Sequence, residues 1–464
     1  MKVTLGNTIA IENPTSELVS WCKKELVLSN PEYAKKLRMN FWLGDTPQYL
    51  HLYEVRGNTL IVPFGVLKKI LPLLQGQSDY FDSYELPTQI NYGKNLVPLY
   101  DYQKEAVDAM FRERYGILQS KAGSGKTQMG IALVQEFGRK ALWLTHTLDL
   151  LNQSKSRAEM YLPKELIGTI TEGKVNIGKG ITFATIQTMC RLDLTQYRNL
   201  WDVIIVDECH RVAGTPTAMT QFSKVLNSLA ARHKYGLSAT VHRSDGMIKA
   251  TYALLGEVAY TVPDSAVADK VMQVGIKPID TGVTMSMECL NTDGTINYTK
   301  LITYLTEDIG RCMTIVSAIE DNKGRPSLIL SDRLDHLDHL MTLLPSDMEE
   351  DAVMISGKMT SKKDKALREQ ALEDMRTGKK KYLFATYSLA KEGLDVPCLE
   401  RLYMATPQKD YAVITQSIGR IARTFEGKDE PICYDFIDNM QYLIRNFKKR
   451  CTTYRKNGCY FVED

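Results

Sequence analysis

Between about residues 95 and 265, short apolar runs alternate with stretches whose apolar positions recur every three or four residues. The runs YGILQ, ALWLT, ITFAT, DVIIV and KYGLSAT have the length and β-branched content of strands. They are apolar nearly throughout, which predicts a parallel sheet covered on both faces by the intervening helices. A second series, SLILS, AVMIS, KYLFAT, RLYMAT and ICYDF, falls at about 311–440, with helical stretches such as Lys362 to Met375 between its members. Strand–helix alternation twice over predicts two tandem doubly wound α/β lobes. Ahead of them come a helix from Ser16 to Val27, a basic helical stretch from Pro31 to Met39, and a hairpin, LHLYEV-RGN-TLIV, turning at Gly57.

The expected organisation is a small α+β accessory domain at 1–85, a first lobe at 95–265, an inter-lobe segment at 266–310 and a second lobe at 311–464. A polar stretch with Gly76, Gln77, Ser78, Pro87 and Gly93 parts the first two. The inter-lobe segment carries Gly275, Pro278, Gly282 and Gly294 and shows no assignable element.

Composition fits this picture. With 464 residues, 44% hydrophobic and 24% charged, the chain is long enough for several cores and is not of disordered type. No apolar run is long enough to span a bilayer, and MKVTLGNTIAIENP lacks the apolar core of a signal peptide, so a cytoplasmic location without membrane partners is expected. The nine cysteines include no CxxC pair, which argues for reduced thiols and against a zinc ribbon.

A net charge of +3 leaves polyanion binding to local patches. Residues 445–456 form one: Arg445, Lys448, Lys449, Arg450, Arg455 and Lys456, with Phe447 and Tyr454 among them and no acid. Such a run reads either as a nucleic-acid track or as the solvated face of a helix. Asp335-His336-Leu337-Asp338-His339 reads as a solvated amphipathic helix and not as a metal site.

YGILQ runs into Ser120-Lys121-Ala122-Gly123-Ser124-Gly125-Lys126-Thr127, and a helical pattern opens at the lysine. Strand, glycine-rich loop and helix make a phosphate-binding loop, although Ser120 stands where the strict pattern has glycine. Backbone amides and the helix N-terminus attract phosphate; Lys126 supplies charge to the β and γ phosphates of ATP, and Thr127 offers a hydroxyl to Mg²⁺. Downstream, DVIIV delivers Asp207-Glu208-Cys209-His210 to a strand's carboxyl end, where ligands bind in doubly wound sheets. Asp207 is suited to hold Mg²⁺, and Glu208 to orient or deprotonate water.

These motifs resemble those of superfamily 2 helicases, whose motor consists of two RecA-like lobes. The resemblance covers about 95–464 and is most similar to phage recombination helicases and their transcription-repair relatives. It implies that Gln103, in Leu99-Tyr100-Asp101-Tyr102-Gln103, reads adenine, and that His210 couples the nucleotide to Ser238-Ala239-Thr240. Ala385-Thr386 with Glu392-Gly393-Leu394-Asp395 is similar to the fifth helicase motif, placing Gly393 and Asp395 at the nucleotide. Gln416-Ser417-Ile418-Gly419-Arg420-Ile421-Ala422-Arg423 is similar to the sixth. Gln416, Arg420 and Arg423 are thereby catalytic candidates, the two arginines at i and i+3 sharing one helical face.

The resemblance further implies nucleic-acid contacts at Thr145, His146, Thr147, Thr185 and Gln187 in the first lobe and at Ser331 and Thr386 in the second. Lys448, Lys449 and Arg450 would join them from the basic run. Its implied function is an ATP-dependent DNA helicase that remodels branched DNA in recombination, replication or repair, with partners from those processes and a host-cell cytoplasmic location if phage-encoded. An RNA-remodelling helicase would share every ATPase residue, and a restriction-nuclease motor would need a separate nuclease. A non-enzymatic scaffold would be expected to lose Lys126, Glu208 or Arg423. Lys23, Lys24, Lys35, Lys36 and Arg38 are candidates for selecting branched DNA.

Overall fold

A computed structural model describes residues 1–462 apart from 75, 77, 86–87, 94–95, 122, 242–245, 268–270, 358, 360–361 and 392–393. They divide into two compact units, one built from Met1–Lys121 and Gly125–Ala266, the other mainly from Val267–Asp464.

The first unit contains an eight-stranded sheet. Its spatial order is Lys174–Asn176, Ile167–Thr171, Ile181–Thr185, Ala141–Thr145, Val203–Asp207, His233–Ser238, Tyr115–Gln119 and Val258–Thr261. Neighbours are parallel except at the Lys174–Asn176 edge. Ala141–Thr145, Ile181–Thr185 and Val203–Asp207 are buried at every position, which is why they read as continuous apolar runs. This order makes neighbours of three carboxyl ends far apart in sequence: Asp207 is level with Leu237, and Ser238 with Gln119.

The second unit holds a seven-stranded, all-parallel sheet. Its order is Ala352–Ile355, Tyr382–Thr386, Ser327–Ser331, Arg401–Met404, Ile432–Asn439, Gly275–Thr284 and Tyr460–Phe461. Residues 266–310 are therefore no mere connection. Gly275–Thr284 is a strand of this sheet, and Leu301, Ile302 and Leu305 of the helix Tyr298–Glu307 share a core with Val283, Met440 and Leu443. Pro278 hid the strand from a sequence reading. It is tolerated because Tyr460–Phe461 pairs only with Gly275 and Ile276, leaving the rest an edge where a missing N–H costs little.

Residues 1–85 form a five-stranded sheet ordered Glu54–Arg56, Thr59–Pro63, Thr8–Glu12, Lys2–Leu5 and Asp79–Asp82, with the expected hairpin at Gly57. The first helix is Ser16–Glu25, shorter than expected, because Val27–Ser29 pairs with Tyr49–His51. This module is continuous with the first unit. Phe64, Val66 and Ile70 share a core with Tyr115, Met247, Ala250 and Ala253. A Cβ at Gly65 would lie 2.4 Å from the backbone nitrogen of Gly256 and 2.5 Å from the carbonyl oxygen of Tyr252, so only glycine allows this backbone-to-backbone approach.

Lys234 closes the same junction. Fully buried, it donates to the carbonyls of Asn7 at 3.1 Å and Leu226 at 2.7 Å, and burial, reinforced by Arg114, pushes its pKa down to about 7. An unfolded lysine titrates near ~10.4. Between those pH values the unfolded chain binds a proton that the folded chain does not, so Lys234 makes stability rise with pH and has no further effect below its folded pKa. The stability difference between wild type and Lys234→Met, followed by urea denaturation from pH 7 to 9, is expected to change with pH in the direction that favours wild type. A pH-independent difference would refute this assignment.

Candidate active site

The phosphate loop joins the strand Tyr115–Gln119 to the helix Lys126–Phe137. Gly125, its last residue before the helix, has φ 82° and ψ 33°, a left-handed conformation that glycine adopts without strain. Gly123 and buried Ser124 precede it, Thr127 lies in the first helical turn, and Ala122 is outside the described residues. Ser120, also buried, donates its N–H to the carbonyl of Ser238 at 3.0 Å, tying the loop to the adjacent strand. Lys126 Nζ donates to the carbonyls of Ser120 and Lys121, both at 3.2 Å, which holds the ammonium at the loop. Lys121 itself pairs with Asp264 at 3.0 Å.

Gln103 is buried beside this loop. Its Oε1 accepts from the N–H of Tyr100 at 2.9 Å, closing the start of the helix Asp101–Arg112. That bond aims Nε2 at Gly125, where a Cβ would lie only 2.3 Å away. Adenine reading by Gln103 would thus use an amide already oriented by its own helix.

Asp207 ends its strand buried, accepting from Ser154 Oγ at 3.0 Å and from the N–H of Glu208 at 3.0 Å. Burial foremost, then the charge of Glu208, raises its pKa, against the pull of Lys126. A desolvated carboxylate held away from its preferred charge state, with a threonine hydroxyl in the phosphate loop, is an all-oxygen donor set that fits Mg²⁺. Sequence reasoning missed Ser154, because a serine inside the helix Leu148–Glu159 belongs to no motif.

Glu208 follows at φ 48° and ψ 50°, a left-handed conformation that is strained for a residue with a side chain. Its Oε2 lies 3.2 Å from His210 Nδ1, which is 3.1 Å from Ser238 Oγ. Ser238 Oγ donates to the carbonyl of Thr240 at 2.7 Å and accepts from its N–H at 3.2 Å. Ser238 gives its proton to Thr240, so its contact with His210 is a hydrogen bond when the imidazole is protonated on Nδ1. His210 Nδ1 therefore lies between the Glu208 carboxylate and the Ser238 hydroxyl, which in turn bonds Thr240.

In the second unit, Gln416 is buried in the helix Tyr411–Ile421. Arg420 donates through Nε to the carbonyl of Ala390 at 2.8 Å and through Nη1 to that of Leu394 at 3.1 Å, holding the preceding motif. The helix ends at Ile421, so Arg423 does not share its face with Arg420 as the spacing predicts. It lies beyond the end and pairs with Asp395. Lys428, unmarked in the sequence, closes that end by donating to the carbonyls of Ile421 and Arg423, each at 2.7 Å, and burial lowers its pKa to about 8. Gly393 and Glu392 are outside the described residues.

Several expected nucleic-acid contacts are redirected. Thr145 is fully buried and donates to the carbonyl of Thr147 at 3.1 Å, while the Thr147 hydroxyl caps the helix Leu148–Glu159. Thr185 is buried and bonds Thr188, and Gln187 donates to the carbonyl of His146 at 2.8 Å. Ser331, wholly buried, bonds His336 Nδ1 at 3.0 Å, whereas Thr386, level with it on the next strand, is partly exposed and bonds Ser388. The Thr145, Thr185 and Ser331 hydroxyls thus shape the strand ends and do not face outward as the sequence suggests. Burial also corrects His336, which is no part of a solvated face and whose pKa falls to about 3.

Arg450 requires the largest correction. It is 1% exposed and bidentate to Asp435 at 2.8 and 2.9 Å, with Tyr454 donating to the same carboxylate at 2.6 Å. A side chain so placed is part of the core. Arg445, Lys448, Lys449, Arg455 and Lys456 remain exposed on the helix Gln441–Lys456.

Two parallel-sheet units, with a phosphate loop and an acid pair on neighbouring strand ends of the first, define the class of nucleoside-triphosphate-driven motors. Residues 96–243 match the family described as type III restriction enzyme, res subunit, and residues 309–425 match the helicase conserved C-terminal domain. A protein of Acanthamoeba polyphaga mimivirus named as an ATP-dependent RNA helicase is 25% identical, over 89% of this chain and 77% of its own. A protein of Escherichia phage T5 named as a helicase is 27% identical, over 74% and 72%. The DNA 3'-5' translocase XPB2 of Sulfurisphaera tokodaii is 26% identical, over 73% and 80%. The fold is also that of S. cerevisiae Dbp5 bound to RNA and ADP BeF3, at 16% identity and a TM-score of 0.54, covering 86% of this chain and 94% of that one. The chain belongs to helicase superfamily 2 and is an ATP-dependent helicase related to phage, viral and repair helicases. Among the described residues, no helix is long and apolar enough to cross a membrane.

Proposed function

We propose that this helicase hydrolyses Mg²⁺-ATP to move along and remodel branched DNA, such as forks and four-way junctions, in recombination, replication or repair. The observation that carries the motor part is the chain of polar contacts from Glu208 through His210 to Ser238 and Thr240. These contacts are direct and join the carboxyl ends of two neighbouring strands. Lys126 and the loop amides bind phosphate, Gln103 holds adenine, Asp207 and Thr127 hold the cation, and Glu208 orients the attacking water. Bound Mg²⁺ would neutralise charge on the β and γ oxygens. Arg420 and Arg423 remain the catalytic candidates of the second unit, where Arg423 pairs with Asp395.

The choice of DNA draws support from the relative named as a DNA 3'-5' translocase, and the accessory module, which shares a core with the first lobe, is the element we assign to branch selection. The RNA-helicase name of the mimivirus relative favours a second reading, an RNA-remodelling enzyme. ATPase stimulation by single-stranded, duplex, forked and four-way DNA and by RNA decides between them. Forked and four-way DNA are expected to stimulate most at equal nucleotide concentration, and a larger effect of RNA would overturn the DNA assignment.

A further inference from the structure

The helix Pro31–Arg38 buries none of its residues, its apolar Leu37 included. It leads into a turn with left-handed residues at Asn40 and Gly44, and together they expose Leu37 (57%), Met39 (51%), Phe41 (58%), Trp42 (88%) and, further on, Tyr49 (48%). The turn is built and fastened. Lys36 Nζ donates to Thr46 Oγ1 at 2.7 Å, Asn30 Nδ2 to the carbonyl of Pro47 at 2.8 Å, and the N–H of Phe41 to the carbonyl of Lys36 at 2.9 Å. The Trp42 ring lies over Gly44, with ring carbons 2.8 to 3.2 Å from where a Cβ would stand, so a side chain at 44 would displace the indole.

Lys35, Lys36 and Arg38 precede the two aromatic rings, and no acid lies between Lys35 and Trp42. Protein-binding faces are depleted in lysine, whereas cations beside exposed aromatic rings are the pairing that grips unpaired nucleotides, charge on phosphate and ring on base. We propose that Phe41 and Trp42 form a base-stacking wedge for the unpaired nucleotides at a fork, with Lys35 and Arg38 on the adjoining phosphates. The inference rests on the nucleic-acid motor reading and gives the accessory module its ligand. It also sharpens the assignment of Lys35, Lys36 and Arg38, and it separates them from Lys23 and Lys24, which lie on the helix Ser16–Glu25.

Trp42 provides its own probe, because Trp143 and Trp201 are buried and Trp21 is partly so. In the full-length protein, acrylamide quenching should fall when a forked oligonucleotide is added, and should fall less with blunt duplex. Trp42→Ala should weaken fork binding about ten-fold, within the range of lost base–aromatic stacking, and Trp42→Phe should restore most of it. ATPase activity measured without nucleic acid should stay within about two-fold of wild type in both variants, because Trp42 lies outside the phosphate loop and acid pair. Unchanged fork affinity in Trp42→Ala would overturn the wedge, as would concentration-dependent self-association of the wild type that this variant abolishes, which would assign the face to a second copy. Failure of the motor reading would show separately, as wild-type ATPase activity that no nucleic acid stimulates.

Discussion

Replacing Glu208 by glutamine is expected to lower nucleic-acid-stimulated ATP turnover about 10³-fold while leaving ATP and nucleic-acid binding intact. The substitution preserves shape and removes the carboxylate's ability to accept the water's proton, an effect that general-base catalysis puts at about 10² to 10⁴. Glu208 already sits in a strained left-handed conformation, its Oε2 3.2 Å from His210 Nδ1. The His210–Ser238 contact does not involve the side chain at 208 and should persist. Lys126→Ala should instead impair nucleotide binding as well as turnover, since the ammonium serves the phosphates in both states. Steady-state ATPase assays alongside equilibrium nucleotide binding separate the two. Near-wild-type turnover in Glu208→Gln would remove this residue from the chemistry.

The second large effect concerns stability. Arg450→Ala is expected to destabilise the folded protein by about 3–5 kcal/mol, the usual cost of breaking a buried ion pair, because the buried Asp435 carboxylate would lose both guanidinium bonds and retain the one from Tyr454. Lys448→Ala and Lys449→Ala, at exposed positions two and one residues earlier, should leave stability almost unchanged. If the exposed face of this helix meets phosphates, each of these two would reduce the salt dependence of nucleic-acid binding by about one counterion. Chemical denaturation of the three variants, with binding measured across a salt series, provides the check. An Arg450→Ala protein as stable as wild type but weakened in binding would return Arg450 to the nucleic-acid surface.

That contrast shows how much a local pattern can carry. RNFKKRCTTYRK looks uniformly basic along the chain, yet helical geometry turns Arg450 and Tyr454, four residues apart, inward onto Asp435 and leaves the remaining cations in solvent. No sequence pattern reveals Asp435 as the partner, since it lies on another element. The arginines 420 and 423 make the same point: spacing puts them on one helical face only if the helix continues, and Lys428 helps to end it at Ile421. Gly275–Thr284 escaped detection for the opposite reason, as Pro278 breaks a strand pattern that an edge position tolerates.

The sequence by itself determined the two α/β sheets and the chemistry of the phosphate loop and acid pair, because a strand buried on both faces must be apolar at every position and phosphate binding demands glycine, lysine and a hydroxyl in immediate succession. Only the tertiary structure decided which strand ends are neighbours, and so which residues act together. His210 lies between Glu208 and Ser238 because Val203–Asp207 and His233–Ser238 pair side by side. It alone also showed which hydroxyls and cations are spent inside. Burial is a property of the packed elements, and the residues that compete for a buried polar group are brought to it from distant parts of the chain.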